Sequence, residues 1–267
     1  MRIIDTHCHA GLTWFEPVEI LLYQMNLNSI EKAVLVQYRG NYHNQYILEC
    51  AQRFPGRFVP IVCVDARKPD APTTLETWRK AGAAGVRFLP ETRSPGSDPL
   101  AIWRKAAQLG MPITILGRLE QFASPEFRQV VAALPECTLI LEHLAGMHRS
   151  LFTDGATEEP YTLYRQALEL AGYSNTYIKI GGLGEFAQRP AVLGAKFSVA
   201  GPPPMAAMAA KAFGPRRMMW GSDYPPVSQR EGYRNALQGT MEHLAFLSQE
   251  DKEWVFGKTA DSVWKTA

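Results

Sequence analysis

The chain runs to 267 residues, 46% of them apolar, with a formal net charge of +2 at pH 7. That length suits one large α/β barrel or two small domains, and the apolar share supports a sizeable core. Charges of both signs are interleaved, which argues against nucleic acid or an anionic membrane surface as the main partner.

Short β-rich apolar runs alternate with longer segments of helical period. The pattern predicts strands at Ile3–His7, Ala33–Gln37, Phe58–Val64, Gly85–Leu89, Pro112–Leu116, Thr138–His143, Tyr177–Ile180 and Met218–Asp223. Between and after them it predicts helices over Glu16–Met25, Asn44–Phe54, Thr73–Ala81, Pro99–Leu109, Pro125–Leu134, Tyr161–Leu170, Pro203–Ala212 and Arg230–Phe246. Ser124 followed by Pro125 reads as an N-cap with proline at the first helical position. The spacing suits βα crossovers, which make neighbouring strands parallel. Eight such units predict a single (β/α)8 TIM barrel domain over residues 1–267. A short C-terminal helical extension, Gln249 to Ala267, is expected on its outside. No Gly-rich turn follows the first strand, so a dinucleotide fold is not indicated.

No apolar stretch nears the ~20 residues of a membrane span, and the first residues lack the basic-then-apolar layout of a signal peptide. The cysteines Cys8, Cys50, Cys63 and Cys137 show no CxxC spacing and read as free thiols. A cytoplasmic protein is therefore expected.

In a barrel of this kind the chemistry lies at the C-terminal ends of the strands. That rule selects His7, His9, Arg39, Arg87, His143 and Asp223. Alternation along the first strand would project Asp5, His7 and His9 together and turn Cys8 away. His143 would reach the barrel mouth in line with Leu139 and Leu141. Arg87 and Lys179 are charges inside apolar strands, and each needs a partner. For Arg87 two roles stand side by side: a buried partner of a carboxylate, or a clamp for a substrate carboxylate. Arg39 and Arg118 follow the second and fifth strands as weaker candidates for that clamp. His148 reads as a loop residue near the rim, and His43 and His243 as surface or packing residues. No GxSxG elbow is present, so serine hydrolase chemistry has no vehicle.

Asp5-Thr6-His7-Cys8-His9, Leu141-Glu142-His143-Leu144-Ala145-Gly146 and Trp220-Gly221-Ser222-Asp223-Tyr224-Pro225 together resemble the amidohydrolase superfamily. The nearer likeness is to its amidohydrolase-2 branch of sugar and 2-pyrone-4,6-dicarboxylate lactonases and related decarboxylases. Asn44-Gln45-Tyr46-Ile47-Leu48, Arg53-Phe54-Pro55-Gly56-Arg57-Phe58 and Gly85-Val86-Arg87 fit the same pattern. The resemblance implies an HxH pair (His7, His9), histidines after strands five and six, and an aspartate after strand eight (Asp223). Strand five carries no histidine, and strand four carries Arg87 with no lysine to bridge two metals, so a dinuclear centre is not expected.

The expected activity is opening of a lactone of a small carboxylated or polyhydroxylated acid. Asp223 would activate water, His7, His9 and His143 would orient it and polarise the carbonyl, and Arg87, Arg39 and Arg118 would bind the substrate. The expected cofactor is none, or one divalent ion, zinc above all, on His7, His9, His143 and Asp223. The alternative is a zinc-dependent decarboxylase or hydratase of an unsaturated dicarboxylate; a barrel that binds without turnover is a third class. The expected partner is the small anionic or polyol lactone, with a homo-oligomer as an open option. Substrate choice would rest on the loops Met147–Pro160 and Gly181–Pro204.

Overall fold

The computed structural model describes residues 1–148, 158–186 and 204–265. The eight strands are β1 (Ile4–Cys8), β2 (Lys32–Val36), β3 (Phe58–Val62), β4 (Gly85–Phe88), β5 (Ile113–Ile115), β6 (Leu139–Leu141), β7 (Thr176–Ile180) and β8 (Met218–Trp220). They are parallel neighbours in sequence order. Beyond the strand ends Cys8 bridges Tyr224 in parallel. The His9 amide donates to the Tyr224 carbonyl at 2.7 Å and the Asp223 amide to the His7 carbonyl at 2.8 Å. The barrel therefore closes through the two segments that carry its histidine pair and its late aspartate. This is a TIM barrel.

The principal helices are α1 (Val18–Leu27), α2 (Gln45–Arg53), α3 (Ala71–Lys80), α4 (Ala101–Gln108), α5 (Pro125–Ala132), α6 (Thr162–Leu168), α7 (Met205–Phe213) and α8 (Tyr233–His243). Ser124 caps α5 as expected, its hydroxyl accepting from the Phe127 amide at 3.2 Å with Pro125 in the first turn. Gly110 follows α4 at φ +63°, a backbone turn that glycine takes without a Cβ penalty.

Strand register sorts side chains into two shells. Ala33 and Leu35 belong to the large cluster under the helices, whereas Val34, Val36, Val59 and Ile61 form a separate interior cluster. Arg87 pairs with Thr114, Thr114 with Ile140 and Ile140 with Tyr177, so these side chains share the inner face.

Four expectations are corrected. Asp5 and Cys8, three residues apart, pair with Ala33 and Leu35, two residues apart. This slip in β1 puts Asp5 on the face of Cys8 and away from His7. Strands β6 and β8 stop at Leu141 and Trp220, short of His143 and Asp223. Helix α8 begins at Tyr233, leaving Arg230 and Glu231 in the preceding turn. The C-terminal extension does more than lie outside: Trp264, at the end of the helix Thr259–Trp264, packs against the interior cluster. Residues 149–157 and 187–203, which hold most of the two specificity loops, and residues 266–267 lie outside the described residues.

Candidate active site

The slip in β1 sends His7 and His9 inward, where they are buried with rings edge to face at 5.0 Å. His9 Nδ1 lies 2.6 Å from the Val36 carbonyl. A carbonyl only accepts, so Nδ1 carries a proton and Nε2 faces the site. That atom is 3.5 Å from Asp223 Oδ1, and His7 Nε2 is 3.8 Å from the same oxygen. Asp5 instead stitches the closure: its carboxylate accepts from the Ser222 amide at 2.8 Å, the His7 amide at 3.1 Å and the Tyr233 hydroxyl at 2.8 Å.

His143 reaches the mouth by a different route from the expected one. Leu139 and Leu141 face the helices, so strict alternation would carry His143 outward with them. The chain instead turns through positive φ at His143 (52°), Leu144 (49°), Ala145 (57°) and Gly146 (91°). Left-handed conformations in non-glycine residues each cost about 1–2 kcal/mol and collect at functional sites. The turn brings the His143 ring to 4.7 Å from that of His7 and 4.4 Å from that of His148. His143 Nδ1 sits 3.1 Å from Glu185 Oε1. Burial would lower its pKa, but the Glu185, Asp223 and Glu142 charges raise it above the usual histidine value.

Asp223 is itself at φ 59°. Its Oδ2 accepts from Arg230 Nη1 at 2.8 Å, leaving Oδ1 toward the two histidines. Burial would raise its pKa, yet the His9 hydrogen bond and the charges of His143 and Arg230 hold it well below the usual carboxylate range.

Beneath this cluster lies a second polar layer. Arg87 donates to Glu142 Oε2 through Nη2 at 2.6 Å and Nε at 3.1 Å, and to the Gln37 carbonyl through Nη1 at 3.1 Å. Burial would raise the Glu142 pKa, but Arg87 and Lys179 lower it to about 2. Lys179 Nζ donates to the Thr6 carbonyl at 2.8 Å and lies 3.4 Å from His7 Nδ1. Burial lowers its pKa to about 8, with Glu142 opposing. For His7 burial and the Lys179 charge act together, and its pKa falls well below the usual value.

The arginines divide by depth. Arg87 is buried against Glu142 while also lining a cavity of about 430 Å³ at the ends of β2, β3 and β4, together with Arg39, Arg67 and Arg93. Arg39 and Arg118 are exposed, and both line a smaller pocket of about 50 Å³ with His148. His43 and His243 stand outside the cluster.

Sequence reasoning missed Glu142, Glu185 and Arg230. The need of Arg87 for a counter-charge was the available signal for Glu142. Arg230 was hidden in a predicted helix, and Glu185 in a loop.

His7, His9 and Asp223 offer ligand atoms within 4.8 Å of one another, as do His7, Glu142 and His143, and His143, Glu185 and Asp223. Three ligands with an open fourth position is the arrangement of a catalytic zinc site. His7 Nε2 is buried with no hydrogen-bond partner among the described residues, so the first set fits a divalent ion.

The Amidohydrolase family profile matches residues 4–266. The chain belongs to the amidohydrolase family. It is thus a hydrolase by family, and the histidine pair, His143 and Asp223 occupy the barrel mouth where such an enzyme works. No curated protein matches the chain by sequence. Among solved structures, it is similar to an amidohydrolase from Burkholderia multivorans with bound zinc, at 20% identity and TM-score 0.79, covering 99% of each chain. A probable 2-pyrone-4,6-dicarboxylic acid hydrolase from Acinetobacter baumannii with citric acid bound is similar at 18% identity and TM-score 0.72, covering 99% of this chain and 100% of that one. Amidohydrolase 2 from Bifidobacterium longum subsp. infantis gives 18% identity and TM-score 0.67, covering 99% of both chains. At these identities the likeness carries the fold. Among the described residues no helix is long and apolar enough to cross a membrane.

Proposed function

We propose that this amidohydrolase opens the lactone of a small carboxylated or polyhydroxylated acid, with Asp223 as the general base. The observation that carries the reading is the division of the Asp223 carboxylate: Oδ2 is held by Arg230 and Oδ1 faces His7 and His9. An ionised, oriented oxygen in a buried site can take a proton from water as that water attacks the lactone carbonyl. The oxyanion so formed would be stabilised by N–H donors of His7 and of a protonated His143. Collapse of the tetrahedral intermediate breaks the ring C–O bond, and the proton held by Asp223 passes to the leaving alkoxide. The product is the open hydroxy acid.

Arg39 and Arg118, exposed at the rim, would hold a carboxylate of the substrate, and Arg87 would act from below while paired with Glu142. A divalent ion on His7, His9 and Asp223 would supply further polarisation of the carbonyl; His143 lies beside that set. The Acinetobacter protein's name and the zinc in the Burkholderia protein are consistent with these two versions of the chemistry. The zinc-dependent decarboxylase or hydratase is the second reading, favoured by the spacing of the same three ligands.

The test is hydrolysis of a panel of carboxylated and sugar lactones by the purified protein, before and after chelation. Ring opening that depends on Asp223 is the expected result. Absence of turnover on every lactone, with decarboxylation of an unsaturated dicarboxylate in the zinc-loaded protein, would overturn it.

A further inference from the structure

His9 and His143 are each set up in one way. Their Nδ1 atoms meet acceptors, the Val36 carbonyl and the Glu185 carboxylate, so Nδ1 carries the proton. Metal-binding histidines are commonly oriented by such acceptors. His7 differs from both. Its Nδ1 faces Lys179 Nζ at 3.4 Å, and an ammonium group has no lone pair to accept a proton. Glu142 Oε1 stands back from Nδ1 at 3.8 Å and has no hydrogen-bond partner among the described residues.

We propose that Lys179 is a positioning residue that selects the tautomer of His7: it keeps the proton on Nε2 in the metal-free protein, and the unpartnered Glu142 oxygen is the alternative acceptor that His7 needs before Nε2 can bind an ion. Two arrangements of the same ring follow. In one, Nδ1 accepts from Lys179 and Nε2–H points at Asp223 and the reacting centre as a donor. In the other, Nδ1–H donates to Glu142 and the Nε2 lone pair faces the ion. Lys179 is anchored by the Thr6 carbonyl at 2.8 Å, which holds Nζ against the ring and favours the first arrangement. The inference concerns the His7 environment alone and stands whatever the substrate.

The experiment is nitrogen-15 NMR of the histidine rings in chelator-treated protein, with the His7 signals assigned by their loss in His7→Gln. In the wild type His7 is expected to carry its proton on Nε2, with His9 on Nδ1. In Lys179→Met, His7 is expected to move its proton to Nδ1, and zinc affinity, measured by chelator competition, to rise about tenfold or more, the size of effect that orienting groups around a metal exert. A wild-type His7 protonated on Nδ1 would overturn the proposal, and this arm needs no variant to fold. Tighter zinc binding with His7 still protonated on Nε2 would also overturn it, because that gain would come from lost charge alone.

Discussion

Asp223 and Arg230, seven residues apart after β8, are joined at 2.8 Å through Oδ2 and Nη1. The guanidinium is itself held by two further carboxylates, with Glu231 Oε2 at 3.5 Å and Glu185 Oε1 at 3.7 Å. His9 and His143, together with this one cation shared among three carboxylates, keep Asp223 ionised, and the cation fixes which of its oxygens meets the histidines. The same Glu185 oxygen also meets His143 at 3.1 Å. The proposed base and one proposed donor are thus oriented by a common network that borders the catalytic atoms.

Asp223→Asn tests the base directly. The amide keeps the shape and removes the proton acceptor, so kcat on a lactone should fall by about 10²–10⁴-fold, the usual contribution of a positioned acid–base group. Circular dichroism should show an unchanged fold. A variant with a near-normal rate removes Asp223 from the mechanism.

Glu185→Gln tests the donor through pH. Burial depresses the His143 pKa and Glu185 is the largest influence raising it, with a net upward shift. A raised folded-state pKa contributes stability that is complete below the unfolded value, about 6.5, and is lost as pH rises through the folded value. The wild type should therefore lose stability over that window, and the Gln variant should lose less. If protonated His143 stabilises the oxyanion, the alkaline limb of kcat/KM should also move to lower pH. An unmoved limb would assign it to another group.

Much of this site was legible because a barrel gathers its functional residues just beyond the C-terminal ends of its strands. His7, His9 and Asp223 end apolar runs, and a closed barrel brings the first and last runs together. What strand geometry does not govern was read less well. The slip in β1 reverses Asp5, which reads as a third member of the histidine face but instead closes the barrel through Ser222 and Tyr233. The left-handed turn at His143 lets adjacent residues, Glu142 and His143, both reach the interior, where alternation admits only one. Arg230 and Glu185 come from irregular segments whose course depends on contacts far away in sequence.

Arg39→Ala and Arg118→Ala separate binding from chemistry. Both side chains are exposed at the rim and line the small pocket beside His148. Each is expected to raise KM several-fold for a carboxylated lactone, with kcat changed much less, because a contact made equally in ground and transition states is uniform binding. For an uncharged sugar lactone the same variants should leave KM near its original value. Equal effects on both substrates would take these arginines out of carboxylate recognition.

Glu142 and Arg87 make the last test one of stability. The pair is buried, with Nη2 to Oε2 at 2.6 Å. Removing one partner of such a pair strands a charge and costs about 3–5 kcal/mol, whereas replacing both by apolar groups of similar volume is often close to neutral. Glu142→Gln should therefore lower unfolding free energy by about that amount, and Arg87→Met combined with Glu142→Met should recover most of it. Burial works against the charged Glu142, but Arg87 and Lys179 bring its pKa from 4.5 down to about 2. A depressed folded-state pKa contributes stability above the unfolded value that is lost as pH falls through the folded one. The gap between wild type and Glu142→Gln should accordingly narrow as pH drops from 4.5 toward about 2. Denaturant unfolding across that range measures it, and a gap independent of pH would show that the carboxylate charge is not what Arg87 and the barrel interior require.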